Sequence, residues 1–201
     1  MEKQDYIKEI PQAERRFFTA PVSVQKRAEG DDNIVEGVAA IVEKETDLGF
    51  FREKIARGAF DDVLNDDVRA LFNHDPNFIL GRTASNTLEI GLNENGDLTY
   101  KYTTPDRQYA RDLYDAIKSG DVDQSSFAFI VKEHRWEFDE ENPDNDLRTI
   151  EKIGSLIDVS PVTYPAYQDT KVAARSRDAR KNDVKKPNLK TKSRKRKLQI
   201  L

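Results

Sequence analysis

Residues 88–92 and 98–102 alternate apolar with polar side chains and flank Asn93-Glu94-Asn95-Gly96-Asp97. Asn-Gly in so short a link supplies the positive φ that a tight hairpin needs, so two antiparallel strands are predicted here. Further short apolar runs read the same way, at residues 15–25, 33–44, 68–72 and 78–80, from 125 towards Trp136, and at 148–153 and 155–162 on either side of Gly154. Val35, Val38, Ile41 and Val42 also suit a helix, but β-branching favours a strand, with a bulge expected at Gly37. Two helices interrupt the strands. A short one is predicted from Gly58-Ala59 onward, carrying Phe60, Val63 and Leu64. The other spans residues 106–118, with Thr104 as N-cap, Pro105 in the first turn, an apolar stripe of Tyr109, Leu113, Ala116 and Ile117, and Gly120 as terminator. About seven or eight strands with short links and two helices predict a sheet-dominated α+β class, which a barrel with helices outside would satisfy.

A chain of 201 residues with 37% hydrophobic side chains suits one core and a tail. The net charge of −4 hides a split. From residue 175 onward twelve Lys or Arg face two Asp or Glu, a surplus of ten positive charges, whereas the first 174 residues carry 21 against 35. The expected organisation is a flexible segment at 1–14, a folded domain at 15–176 and a basic, disordered tail at 177–201. Cysteine is absent and only His74 and His134 are present, so thiol chemistry, disulfides and a histidine-rich metal site are excluded and no cofactor is expected. No apolar run approaches a membrane span and residues 1–10 lack a signal-peptide pattern, so a cytoplasmic protein is expected.

Three places carry potential chemistry. His74 lies in Asn73-His74-Asp75-Pro76, a polar turn after the strand at 68–72, where an imidazole could serve as a general base near neutral pH. Plain turn chemistry explains the same residues, with Asp75 supporting the turn. Ser125-Ser126 opens a strand after a helix and an acidic link; alternation sends Phe127 and Phe129 to the core and Ser126 to the other face, where a nucleophile belongs. Both serines could equally just make the turn. Asp158 interrupts the apolar run Ile157-Asp158-Val159, where a carboxylate has to find a partner. Glu151 and His134 are weaker candidates to orient the base.

Asn73-His74-Asp75, Leu80-Gly81-Arg82-Thr83, Ser125-Ser126-Phe127-Ala128-Phe129 and Asp158-Val159-Ser160-Pro161-Val162-Thr163 with Pro165-Ala166-Tyr167 follow one another in that order. With Phe51-Arg52-Glu53 and Gly58-Ala59-Phe60 upstream, the stretch 34–176 resembles the tailed-phage prohead maturation proteases, which are similar to herpesvirus assemblin. The resemblance implies a mostly antiparallel, assemblin-like barrel with a few flanking helices. It implies a serine endopeptidase in which Ser126 is nucleophile, His74 general base and Asp158 the third member. Assemblin-like enzymes use a second histidine instead, which keeps His134 in view. The resemblance names no clear oxyanion donor; backbone amides near Ser126, or Arg82, are candidates.

Its implied substrates are scaffold, the N-terminal segment of the major capsid protein and the protease itself, inside the phage procapsid in the host cytoplasm, with the chain oligomeric or incorporated in the particle. The competing expectation is a non-enzymatic assembly protein whose basic tail contacts scaffold or nucleic acid without sequence preference.

Overall fold

The computed structural model describes residues 13–18, 22–25 and 33–164. Residues 1–12 of the predicted flexible segment at 1–14, residues 26–32 and everything from Pro165 onward, the basic tail included, lie outside the described residues; Ala13 and Glu14, counted with the flexible segment, belong instead to a strand.

Strands dominate. β1 (Ala13–Phe18), β4 (Thr46–Asp47), β5 (Arg52–Ile55), β6 (Arg69–Phe72), β7 (Asp75–Arg82), β10 (Gln124–Glu137) and β11 (Leu147–Val162) form one seven-stranded sheet. β2 (Val22–Gln25), β3 (Ile34–Ala40), β8 (Leu88–Leu92) and β9 (Leu98–Thr103) form a four-stranded sheet in the order β2-β3-β9-β8. Among the described residues one α-helix, α1 (Gln108–Ser119), connects the sheets in sequence. Among the described residues no strand pairing joins the two sheets into a closed barrel.

The long β10–β11 hairpin is the spine of the larger sheet. β1 pairs with β10 on one side, while β5 and β6 both lie parallel to β11 at its two ends, around Leu147–Ile150 and Asp158-Val159. Register shifts after Ala128 and Ile130 let β10 coil over the core. Phe127 and Phe129 are both buried and stack at 4.6 Å, and Phe60 packs edge-on against Phe127 at 5.8 Å.

The hairpin at 88–103 forms as predicted, with Asn93 Oδ1 accepting from the Asn95 and Asp97 amides. Four expectations are corrected. The helix predicted near Gly58 is a single 3-10 turn, Asp61–Val63, which still buries Phe60 and Val63. Helix α1 begins at Gln108 with Arg107, not Thr104, in the N-cap position: the Thr104 amide extends the β3–β9 pairing to Asn33 O, and the Thr104 hydroxyl caps no amide among the described residues. Gly154 does not divide two strands: β11 runs through it, and a Cβ there would sit 3.2 Å from Lys132 Cβ on β10. Gly37 marks no bulge either, since the register shift falls between Val38 and Ala40; a Cβ at Gly37 would lie 2.4 Å from the Tyr100 ring.

Candidate functional site

His74 is delivered by the hairpin between β6 and β7. Asn73 and His74 are its two central residues, both left-handed (φ 55° and 57°), the combination of a tight right-twisted hairpin turn. Asparagine adopts that conformation readily and histidine less so, hence the turn is braced from outside. The Asn73 amide donates to Pro161 O (3.1 Å), the Asn73 side-chain amide to Thr163 Oγ1 (3.0 Å), and the Thr163 amide to Asn73 Oδ1 (2.9 Å). Asp75 belongs to β7 and accepts from the Asn77 amide.

Ser126 and Asp158 come from the spine. In the β10–β11 register Ser126 faces Ser160 and Ala128 faces Asp158, so alternation sets all four on one side of the sheet. Because β6 runs beside β11 at Asp158, the turn that follows β6 brings the imidazole to this face. His74 Nδ1 lies 2.6 Å from Asp158 Oδ1, and His74 Nε2 lies 2.6 Å from Ser126 Oγ. A carboxylate has no proton to give, so Nδ1–H donates to Asp158 and the other ring nitrogen, Nε2, is left facing the serine hydroxyl.

The group is shut away from water: Ser126 and Ser160 expose nothing, Asp158 1% and His74 5%. Ser160 Oγ donates to Asp158 Oδ1 at 2.8 Å and stands 3.3 Å from His74 Nδ1, whereas Asp158 Oδ2 has no hydrogen-bond partner among the described residues. The Ser126 hydroxyl has a second acceptor 2.9 Å away, the backbone oxygen of Arg16 on β1, the strand paired alongside it, so its one proton is shared between that oxygen and His74 Nε2. The neighbouring Ser125 shares a hydrogen bond of 2.8 Å with the Tyr100 hydroxyl, whose burial pushes its pKa up. Gly37 leaves the space through which that tyrosine reaches β10.

The other candidates stand elsewhere. His134 lies eight positions along β10, opposite Ile150 and against the edge of Trp136. Glu151 is exposed and pairs with Arg135 at 3.0 Å. Arg82 is gripped by Asp67 through two bonds of 2.7 and 2.6 Å, and those bonds hold the Asp67 carboxyl at about 2. Among the described residues no three His, Asp or Glu side chains gather as a metal site.

Sequence reasoning passed over Ser160 and a buried charge cluster. In that cluster Arg16 binds Glu53 and Glu14, and Arg148 binds Glu53 (3.0 Å) and Glu14 (2.9 and 2.8 Å). Burial alone would push the Glu14 carboxyl up, but the guanidinium groups of Arg16 and Arg148 outweigh it and hold the group at about 2. The cluster fastens β1 to β5 and β11.

The family model described as caudovirus prohead serine protease matches residues 21–185. Among solved structures, the chain is similar to the capsid assembly protease gp21 of bacteriophage T4, at 14% identity, over 77% of this chain and 98% of that one, with a TM-score of 0.47. A search of curated proteins gives no match.

Proposed function

The chain belongs to the caudovirus prohead serine protease family, and from that premise we propose that Ser126 is its nucleophile, His74 its general base and Asp158 the acid that holds the imidazole. The support is the unbroken line of hydrogen bonds Asp158 Oδ1–His74 Nδ1 and His74 Nε2–Ser126 Oγ, each 2.6 Å. As Ser126 Oγ attacks a scissile carbonyl carbon, its proton passes to His74 Nε2, and Asp158 stabilises the imidazolium without taking the proton. His74 then returns that proton to the departing amine. In the second half a water, deprotonated by the same ring, releases the acyl group from Ser126.

The substrates in this reading are scaffold, the N-terminal segment of the major capsid protein and the chain itself, cut inside the procapsid. The protease domain extends over 15–176, with the two sheets as walls of an assemblin-like, barrel-like arrangement. The basic tail recruits the domain to acidic scaffold or packaged nucleic acid, or is removed by self-cleavage.

Co-expression with the capsid protein and scaffold of the same phage tests the assignment. Wild type is expected to shorten the capsid protein on a gel and Ser126→Ala to leave it at full length. Processing by the Ser126→Ala protein overturns the reading. Mass spectrometry of protein from matured heads tests the tail, since an intact C-terminal Leu201 there excludes its removal.

A further inference from the structure

Asp158 receives two donors on a single oxygen. Nδ1–H of His74 approaches Oδ1 to 2.6 Å and the Ser160 hydroxyl approaches the same Oδ1 to 2.8 Å, while Oδ2 has no hydrogen-bond partner among the described residues. A carboxylate turns readily about its last side-chain bond, and burial removes the water that would otherwise hold it. Something in the protein has to choose its orientation. Ser160 lies two residues further along β11, on the same face of the strand, and its Oγ stands 3.3 Å from His74 Nδ1. Nδ1, Oδ1 and Oγ therefore form a closed triangle in which each atom limits the other two.

From this geometry we infer that Ser160 is a positioning residue for the proposed reaction: its hydroxyl fixes the Asp158 carboxylate so that Oδ1 stays aimed at His74 Nδ1. The inference rests on the assignment of His74 and Asp158 above. It adds a role for a buried side chain that no step of the proposed reaction uses. A charge-assisted bond from a fixed hydroxyl also spreads the negative charge of Asp158, so the ring is held by direction as well as by attraction. Losing that bond leaves the carboxylate free to swing, and the imidazole then spends less time with its lone pair on Ser126. Substrate binding is untouched, so the loss falls on kcat and not on KM.

Two measurements test this, and only one needs turnover. In the first, a peptide spanning the capsid-protein junction mapped by co-expression is cleaved by wild type, Ser160→Ala, Ser160→Thr and Ser126→Ala proteins. Ser160→Ala is expected to lose roughly tenfold or more in kcat with KM unchanged, and Ser160→Thr, which keeps the hydroxyl, to recover most of it. In the second, the proton on His74 Nδ1 is followed by NMR in full-length Ser126→Ala protein. A far-downfield, slowly exchanging resonance is expected there; adding Ser160→Ala should move it upfield and speed its exchange, and Ser160→Thr should restore it. Wild-type kcat in Ser160→Ala, or a Nδ1 resonance indifferent to Ser160, overturns the inference while leaving Ser126 as nucleophile. Cleavage by Ser126→Ala overturns the functional reading, and the NMR comparison still decides Ser160.

Discussion

His74 occupies the left-handed backbone region, uncommon for any residue but glycine, at a cost on the order of 1 kcal/mol or more. The three bonds tying Asn73 to Pro161 and Thr163 offset it, so the turn and the end of β11 hold each other. Replacing Asp158 by asparagine keeps the shape of the acid but can offer an N–H where Nδ1 already donates. The ring then flips its tautomer and presents a proton, not a lone pair, to Ser126. Asp158→Asn should lose about 10⁴-fold in kcat at an unchanged melting temperature, measured on the capsid-junction peptide beside a thermal melt. At this scale Asp158 was legible because an acid inside an apolar strand demands a partner. Ser160 was not: a serine before Pro161 reads as an ordinary strand end, and only the β11 face shows what it touches.

Elements were legible where local chemistry decides them. The hairpin of β8 and β9 and the closure of α1 by Gly120 (φ 87°) follow from turn residues a few positions apart. The start of α1 was not legible, since Thr104 is held in the strand pairing by Asn33, seventy-one positions away. Glycines inside strands misled for the same reason, because their meaning lies on the neighbouring strand. Gly37→Ala should therefore destabilise by about 1–3 kcal/mol through its collision with Tyr100, read as a lower denaturant midpoint. Gly91, whose nearest neighbour for a Cβ is Thr99 Oγ1 at 3.8 Å, provides the control: Gly91→Ala should cost far less.

Across the whole molecule the larger sheet is tied together by charge as well as by ladders. Glu14, Arg16, Glu53 and Arg148 are up to 134 positions apart in sequence, which is why no local pattern announced them. Removing one member leaves an opposite charge buried without compensation, so Glu53→Gln should cost on the order of 3–5 kcal/mol. The cluster also sets an acid limit. With its folded pKa at about 2 against an ordinary 4.5, Glu14 contributes stability that is complete above the ordinary value and is lost as pH falls towards 2. The melting temperature should drop over that window, and Glu14→Gln should flatten the slope while lowering the plateau. Family membership was legible through separated motifs, and the same motifs with the suspicious placement of Asp158 singled out three side chains that the structure brings within hydrogen-bond reach. The sealing of the site was not, because β1 carries no motif and reaches β10 only through pairing.

That sealing turns Ser126 into a clock. An electrophile such as a fluorophosphonate is therefore expected to reach the hydroxyl only when the pairing of β1 with β10, which carries the Arg16 carbonyl, opens. Labelling is then gated, and at low reagent concentration its rate reports the equilibrium between shut and open forms more than the intrinsic reactivity of the serine. Glu53→Gln should speed labelling of the resting protein, and a disulfide engineered between β1 and β10 should stop it.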